Sequence, residues 1–534
     1  MHTNSHKWIE NLVIYKYNNA FCFVAMLVVI FSLSILKYLS LHSGVMDLGV
    51  YSSTLYGVSE LGYFWKIFFG HSSPYLAIYS GIYSVFSIEG ILFFQSLIIA
   101  LSGYVIKKYL GLLPFVAYVL FFPVWFNALF DFHPEHLSIL LLLYFFIFAQ
   151  LNNIKYAAIF AIALAFVKEP FALQTVACGV YLLFSKNELI PKSSNIYFTN
   201  SSNRLLYGFV LICFGFGYFY IATSLIVPYF LGIEESSISS YLYFNGAGSN
   251  INEIIWYIFG NMGEVVSKII TNPDKIIYCV ALFGSLGFIP LLRPKPLIVA
   301  LPILAISLLS EHKGYYGLGH HYTAGLIAPL IFAFSGGLPR AKIIWERIGL
   351  PIKWFTYILV TGLFIAHIVL SPSPISRLFW SDKVWSYNYQ AYIQTDRDEM
   401  IKQKISLHIP ENQNVVVSIQ NTLNWLPLVQ RRHFLLFPQG ISEMESAPFI
   451  KSGIKHEYTK WKSIKSDFVV LDLKRPWSLV DKGCDWIYGK CTNKIKAKEY
   501  LGWVEKTKSI MQVVFERDGF MIFRRPKLEL KDES

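Results

Sequence analysis

The chain has 534 residues, of which 54% are hydrophobic and 17% aromatic but only 15% charged. Soluble domains average about 25% charged residues, so the composition excludes an ordinary soluble protein and points to an integral membrane protein. The net charge of +12 is spread over loops and the C-terminal region without a basic, aromatic-interleaved block; it reads as a record of topology, and no nucleic-acid partner is expected.

About 20 apolar residues span a bilayer, and clustered Lys and Arg mark its cytoplasmic side. Lys7 and Lys16 place the N-terminus inside, and residues 20–41, without a cleavage pattern, read as a retained signal-anchor helix crossing outward. Residues 42–72 form a polar-aromatic outer loop carrying Asp47, Tyr51 and Trp65. The stretch Ser73 to Ile88 reads as interfacial or re-entrant, and residues 90–106 cross inward to Lys107 and Lys108. Residues 111–130 cross outward and deliver Asp131, His133, Glu135 and His136 to the outer face. Residues 137–151 return. The run 156–184 is interrupted by Lys168-Glu169-Pro170, where proline disfavours a continuous helix, so it reads as two short tilted helices meeting near the outer surface. The loop 185–204, with Lys186, Lys192 and Arg204, falls inside.

Further crossings are expected at 205–232, 276–291, 296–310, 322–337 and 354–371, with an amphipathic piece around 251–270 and His321 at an outer end. The total is eleven, with an α-helical polytopic domain over 1–374. A rival arrangement counts 73–88 as a crossing and 156–184 as one; it would separate Asp47 from the Asp131 cluster. After Pro374 the charge content rises and no spanning segment appears. Apolar runs at 414–418 and 468–472 alternate with helix-like runs at 396–407 and 422–430, which predicts a small α/β domain over 375–534, extracytoplasmic in this topology. Cys484 and Cys491 lie there, and an oxidising compartment would permit their pairing.

A charged group inside an apolar segment costs about 2.5–3.5 kcal/mol, so such groups are expected to serve ion pairing, a solvated cavity or chemistry. The segments Met46-Asp47-Leu48-Gly49-Val50-Tyr51, Asp131-Phe132-His133-Pro134-Glu135-His136, Val167-Lys168-Glu169-Pro170 and His321-Tyr322 together resemble the domain of unknown function 2079 family of predicted multi-pass membrane proteins. Ile409-Pro410, Gln430-Arg431-Arg432 and Phe437-Pro438 resemble its C-terminal part. Its architecture in turn is similar to that of GT-C glycosyltransferases, which use lipid-linked sugars and carry an essential acidic residue in the first outer loop, here Asp47 by position. The acidic pair of that class is not matched, since Asp47 is followed by Leu48, which puts metal use in doubt.

The resemblance implies a cell-membrane transferase moving a sugar from a polyprenyl-phosphate donor to a glycan or protein acceptor on the outer face. Asp47 and Asp131 are the candidate catalytic bases. Tyr51, His133, Glu135, His136, Lys168, Glu169 and His321 are the candidate substrate-binding groups, the cationic and hydrogen-bonding ones facing a departing phosphate. The carboxylate and imidazole groups from 131 to 136 would also suit a divalent metal. His71 and His312 read as interfacial residues. Two other classes stay open: a transporter or flippase of a lipid-linked intermediate, and a non-catalytic membrane scaffold.

Overall fold

The computed structural model describes residues 3–68, 70–185, 202–231, 251–382, 385–441, 465–475 and 494–526, with the backbone of two short strands, Cys484–Asp485 and Lys490–Cys491. Lys186, Lys192 and residues 232–250 lie outside the described residues, as do the side chains of Cys484 and Cys491; the backbones of the two cysteines stand opposite each other in the ladder.

Among the described residues, five helices are long and apolar enough to cross a bilayer: Ala20–Leu39, Tyr75–Leu110, Asn203–Phe230, His321–Arg347 and Ile352–Leu370. Leu112–Leu120 and Phe122–Leu129, bent by 55°, add a sixth if they form one span. Pro134–Gln150, Ile154–Ala165, Glu169–Phe184 and Leu297–Leu309 are apolar but shorter. At 1.5 Å per residue these fall short of a hydrocarbon core about 30 Å thick. The chain is thus a multi-pass membrane protein.

Several local expectations meet a definite structure. The run 156–184 is two helices, Ile154–Ala165 and Glu169–Phe184, parted by Phe166-Val167-Lys168, with Pro170 in the first turn of the second, where its missing N–H costs nothing. The stretch 73–106 is a single helical element, Tyr75–Leu110, kinked at Ser87 (φ 54°, ψ −150°). The segment 42–72 is no open loop: it coils into a wide turn over Val45–Gly49, a helix over Val50–Ser59 and a tight turn over Phe64–Phe68. The amphipathic piece is two helices, Ile251–Gly260 and Met262–Ile270.

Bundle packing relies on close approach where glycine allows it. A Cβ on Gly179 would lie 2.6 Å from the Gly208 carbonyl oxygen, and one on Gly215 would lie 2.7 Å from that of Ala172. Small residues are favoured at such interfaces because lipid offers no hydrophobic drive for association.

The C-terminal part is an α/β unit. Its five-stranded sheet runs, in spatial order, Phe434–Leu436, Val417–Ile419, Phe468–Asp472, Phe520–Arg524 and Gln512–Arg517. The first three are parallel and the last two antiparallel. Helix Asp396–His408 opens on a capping box built by Thr395 and Asp398. The unit is continuous with the membrane domain: Leu41 and Val45 share one buried core with Ile401, Ile405, Val417 and Val470. The Arg475 guanidinium donates to the Leu41 carbonyl at 2.7 Å and to Asp472 at 3.1 Å, and also binds Asp398. The helical run expected at 422–430 is only a turn, Leu426–Val429.

Candidate functional site

The site begins with an elbow. Helix Phe122–Leu129 ends with open carbonyls, and Lys37, in the last turn of the first helix, donates to those of Leu129 (2.7 Å) and Phe130 (2.9 Å). An ammonium is favoured at a helix C-terminus. The same group lies 3.4 Å from the Asp131 carboxylate, with both side chains almost fully buried. Gln95 fastens the elbow from a third helix, donating to the Ala128 and Asp131 carbonyls and accepting from the His133 N–H. Asp131 accepts from the Gly44 N–H at 2.8 Å, which ties the elbow to the segment carrying Asp47. A Cβ on Gly44 would meet the Asp47 carboxylate at 3.2 Å and that of Asp131 at 3.7 Å, so the two acids flank one point of backbone. Burial pushes the Asp131 carboxyl up to about 6, Lys37 pulls it down, and the charge of Asp47 pushes it further up.

Beyond the elbow the polar groups converge. His133 Nε2 lies 3.4 Å from Asp47 Oδ1. The His133 ring stacks on that of His321, centroids 3.5 Å apart. Lys168 Nζ donates to Glu135 Oε1 at 2.8 Å, and His321 Nε2 lies 3.7 Å from the same oxygen. Thr323, beside His321, is held by Asn127, whose side-chain amide donates to its hydroxyl at 2.9 Å. Glu169, at the first turn of its helix, accepts from the Ser72 N–H (3.0 Å) and contacts His71 Nδ1 (3.3 Å). His71 therefore joins the cluster.

Position separates these residues by role. His136 is fully engaged: Nδ1 faces the His133 carbonyl and Nε2 the Tyr79 hydroxyl at 2.7 Å, so the ring braces the elbow. Tyr51 packs edge-on against Phe132 and His133. The Asp131, Glu135 and Glu169 side chains are 2%, 6% and 4% exposed, whereas Asp47 is 24% exposed. Among the described residues, four buried atoms in the cluster have no hydrogen-bond partner: His133 Nδ1, Glu135 Oε2 and both nitrogens of His321. Unpaired buried polar atoms cost about 1–3 kcal/mol each, so these atoms are poised for a partner from outside the chain. Among the described residues no three of His, Cys, Asp and Glu gather in a metal-holding group, and Glu135 Oε1 accepts from Lys168.

The C-terminal unit covers the Asp47 segment. The Val45 N–H donates to the Asn421 carbonyl (2.8 Å) and the Met46 N–H to the Asn421 side chain (2.8 Å). Reading the sequence missed Lys37, Gln95 and Asn421. A lysine two residues before the end of an apolar helix was the one signal in the sequence for the first.

The chain belongs to the family described as predicted membrane protein (DUF2079), which matches residues 37–475 and so takes in the whole cluster and the first three strands of the C-terminal sheet. Comparison with curated proteins finds no match.

Proposed function

We propose that the protein is a GT-C-like glycosyltransferase of the cell membrane. It moves a sugar from a polyprenyl-phosphate donor to a glycan or protein acceptor on the extracytoplasmic face. The observation that carries the reading is the pairing of one partly open carboxylate, Asp47, with a buried set of imidazoles and an ammonium that keeps unpaired polar atoms. In this reading eleven helical segments traverse the membrane, the N-terminus is cytoplasmic, and the C-terminal unit sits over the outer end. The mutual contacts of Lys37, Asp131, Lys168, Glu135 and His321 support placing their helix ends on one face.

The roles follow from position. Asp47 takes the proton of the acceptor hydroxyl as its oxygen bonds to the sugar's anomeric carbon. The bond from that carbon to the phosphate oxygen breaks, and the electron pair leaves with the polyprenyl phosphate. His133, His321 and Lys168 face the charge that develops there. Asp131 and Lys37 position the Asp47 segment through Gly44, and His136 and Gln95 hold the elbow. The cluster sets Asp47, Asp131, Glu135 and Glu169 against Lys37 and Lys168. Reconstituted protein given polyprenyl-phosphate sugars tests this: release of polyprenyl phosphate with acceptor glycosylation supports it, and no release with any donor retires it.

A further inference from the structure

Away from the cluster, a cavity of about 260 Å³ lies between the helices Ile251–Gly260 and Met262–Ile270 and the helices Pro273–Gly284 and Leu297–Leu309. Its wall is apolar, with Ile254, Val265 and Leu308 among the lining residues. Lys275, only 5% exposed, lines it as well. Among the described residues its ammonium has neither a hydrogen bond nor an ion pair, and its near contact is the ring of Tyr316, 5.2 Å away. By contrast Lys268, also on the wall, is matched by Glu264 at 2.8 Å and by the Tyr257 hydroxyl at 3.0 Å. Glu311 is the acidic group of the lining.

The outer faces of the two short helices point the other way. Trp256, Phe259, Met262, Val266 and Ile270 are exposed along them, a stripe suited to lying in the membrane interface. The cavity therefore adjoins lipid. It is smaller than the roughly 300–1,000 Å³ of a pocket that swallows a whole drug-sized ligand, so it suits a headgroup and the first carbons of a chain whose remainder stays in the bilayer.

We infer that this cavity is a binding site for a lipid phosphate, with Lys275 holding the headgroup and the Ile254, Val265 and Leu308 wall taking the start of the chain. The site is separate from the cluster, and aromatic residues lie between the two. Tyr316 lines the cavity, and its neighbour Tyr315 stacks on Tyr322 at 4.3 Å, which lies against His321 at 4.2 Å.

The test uses the full-length protein in phosphatidylcholine nanodiscs, loaded with farnesyl phosphate and read by native mass spectrometry. Wild type is expected to retain a molecule that Lys275→Gln retains about tenfold more weakly, the scale of one charge-assisted hydrogen bond. Lys275→Arg keeps the molecule, and Val265→Trp, which fills the cavity with Lys275 in place, loses it. Farnesol bound as tightly as farnesyl phosphate, inorganic phosphate displacing it fully on its own, or unchanged retention by Lys275→Gln would each overturn the inference. Phosphatidic acid added in place of farnesyl phosphate shows whether a diacyl phosphate fits as well as a prenyl one; failure of both to bind also overturns it. Asp47→Asn is expected to bind like wild type, so loss of sugar transfer and loss of this site are separable.

Discussion

The imidazoles of His133 and His321 lie face to face, centroids 3.5 Å apart and planes within 19°. Two rings this close repel each other when both are protonated, unless an anion sits against them. Glu135 lies on one side of the pair, already shared with Lys168, and Asp47 on the other. In the proposed reaction the phosphate of the donor lies against the pair. His321→Phe keeps the stack and removes both nitrogens, so folding should be little changed while transfer falls about 10²-fold or more. Full transfer in His321→Phe would remove the pair from the mechanism.

The Lys37–Asp131 pair should behave as a buried ion pair. Removing one partner strands a charge, at a cost of about 3–5 kcal/mol, whereas replacing both with apolar groups is often nearly neutral. Lys37→Met should therefore unfold at markedly lower temperature in detergent than the Lys37→Met/Asp131→Leu double variant. Equal losses in the two would show that the pair does not carry the elbow.

Two half-buried histidines outside the spanning helices set a pH dependence. Burial, with the Arg475 guanidinium nearby, holds His42 down to about 3. Burial likewise holds His433 down to about 4, with Lys66 and Arg432 adding to the effect. The unfolded chain therefore takes up more protons than the folded one between about pH 3 and 6.5. The stabilisation is full above the ordinary histidine value and is lost as pH falls through those depressed values. Asp131 has the opposite sign: its raised value of about 6 gives a contribution that is full below the ordinary carboxylate value and lost as pH rises through 6. Thermal unfolding of His42→Gln should show a smaller loss of stability from pH 7 to pH 4 than wild type, and an equal loss would exclude His42 as a source.

Arg475 joins the two domains through Leu41, Asp472 and Asp398. Arg475→Ala leaves two buried carboxylates without their shared cation. Proteolysis between residues 371 and 395 should quicken while the membrane bundle stays intact; an unchanged cleavage rate would show that the buried apolar contacts suffice.

Much of the site could be read from the sequence because its cost is visible there. Asp131, Glu135 and Lys168 are ionisable groups beside apolar runs, and the structure pairs Glu135 with Lys168 and Asp131 with a lysine of the first helix. The break at Lys168-Glu169-Pro170 was legible through the geometry of proline, and the strand at 468–472 through its short apolar run. Lys37 was not legible because a lysine near a helix end reads equally well as an interfacial residue; only its long-range partners show that it is buried. The helical coil over 45–59 was hidden by its serines and glycines, which elsewhere mark loops. The cover that Asn421 gives to Met46 depends on a contact across most of the chain, which local periodicity does not encode.

The most direct test of the central claim is a single-turnover assay. Reconstituted wild-type protein and Asp47→Asn are given the same polyprenyl-phosphate sugar and acceptor, and release of polyprenyl phosphate is followed. General-base catalysis by Asp47 predicts release by wild type and a loss of about 10²–10⁴-fold in Asp47→Asn, the usual contribution of a positioned general base, with folding and farnesyl phosphate binding unchanged. Equal release by the two proteins would contradict it.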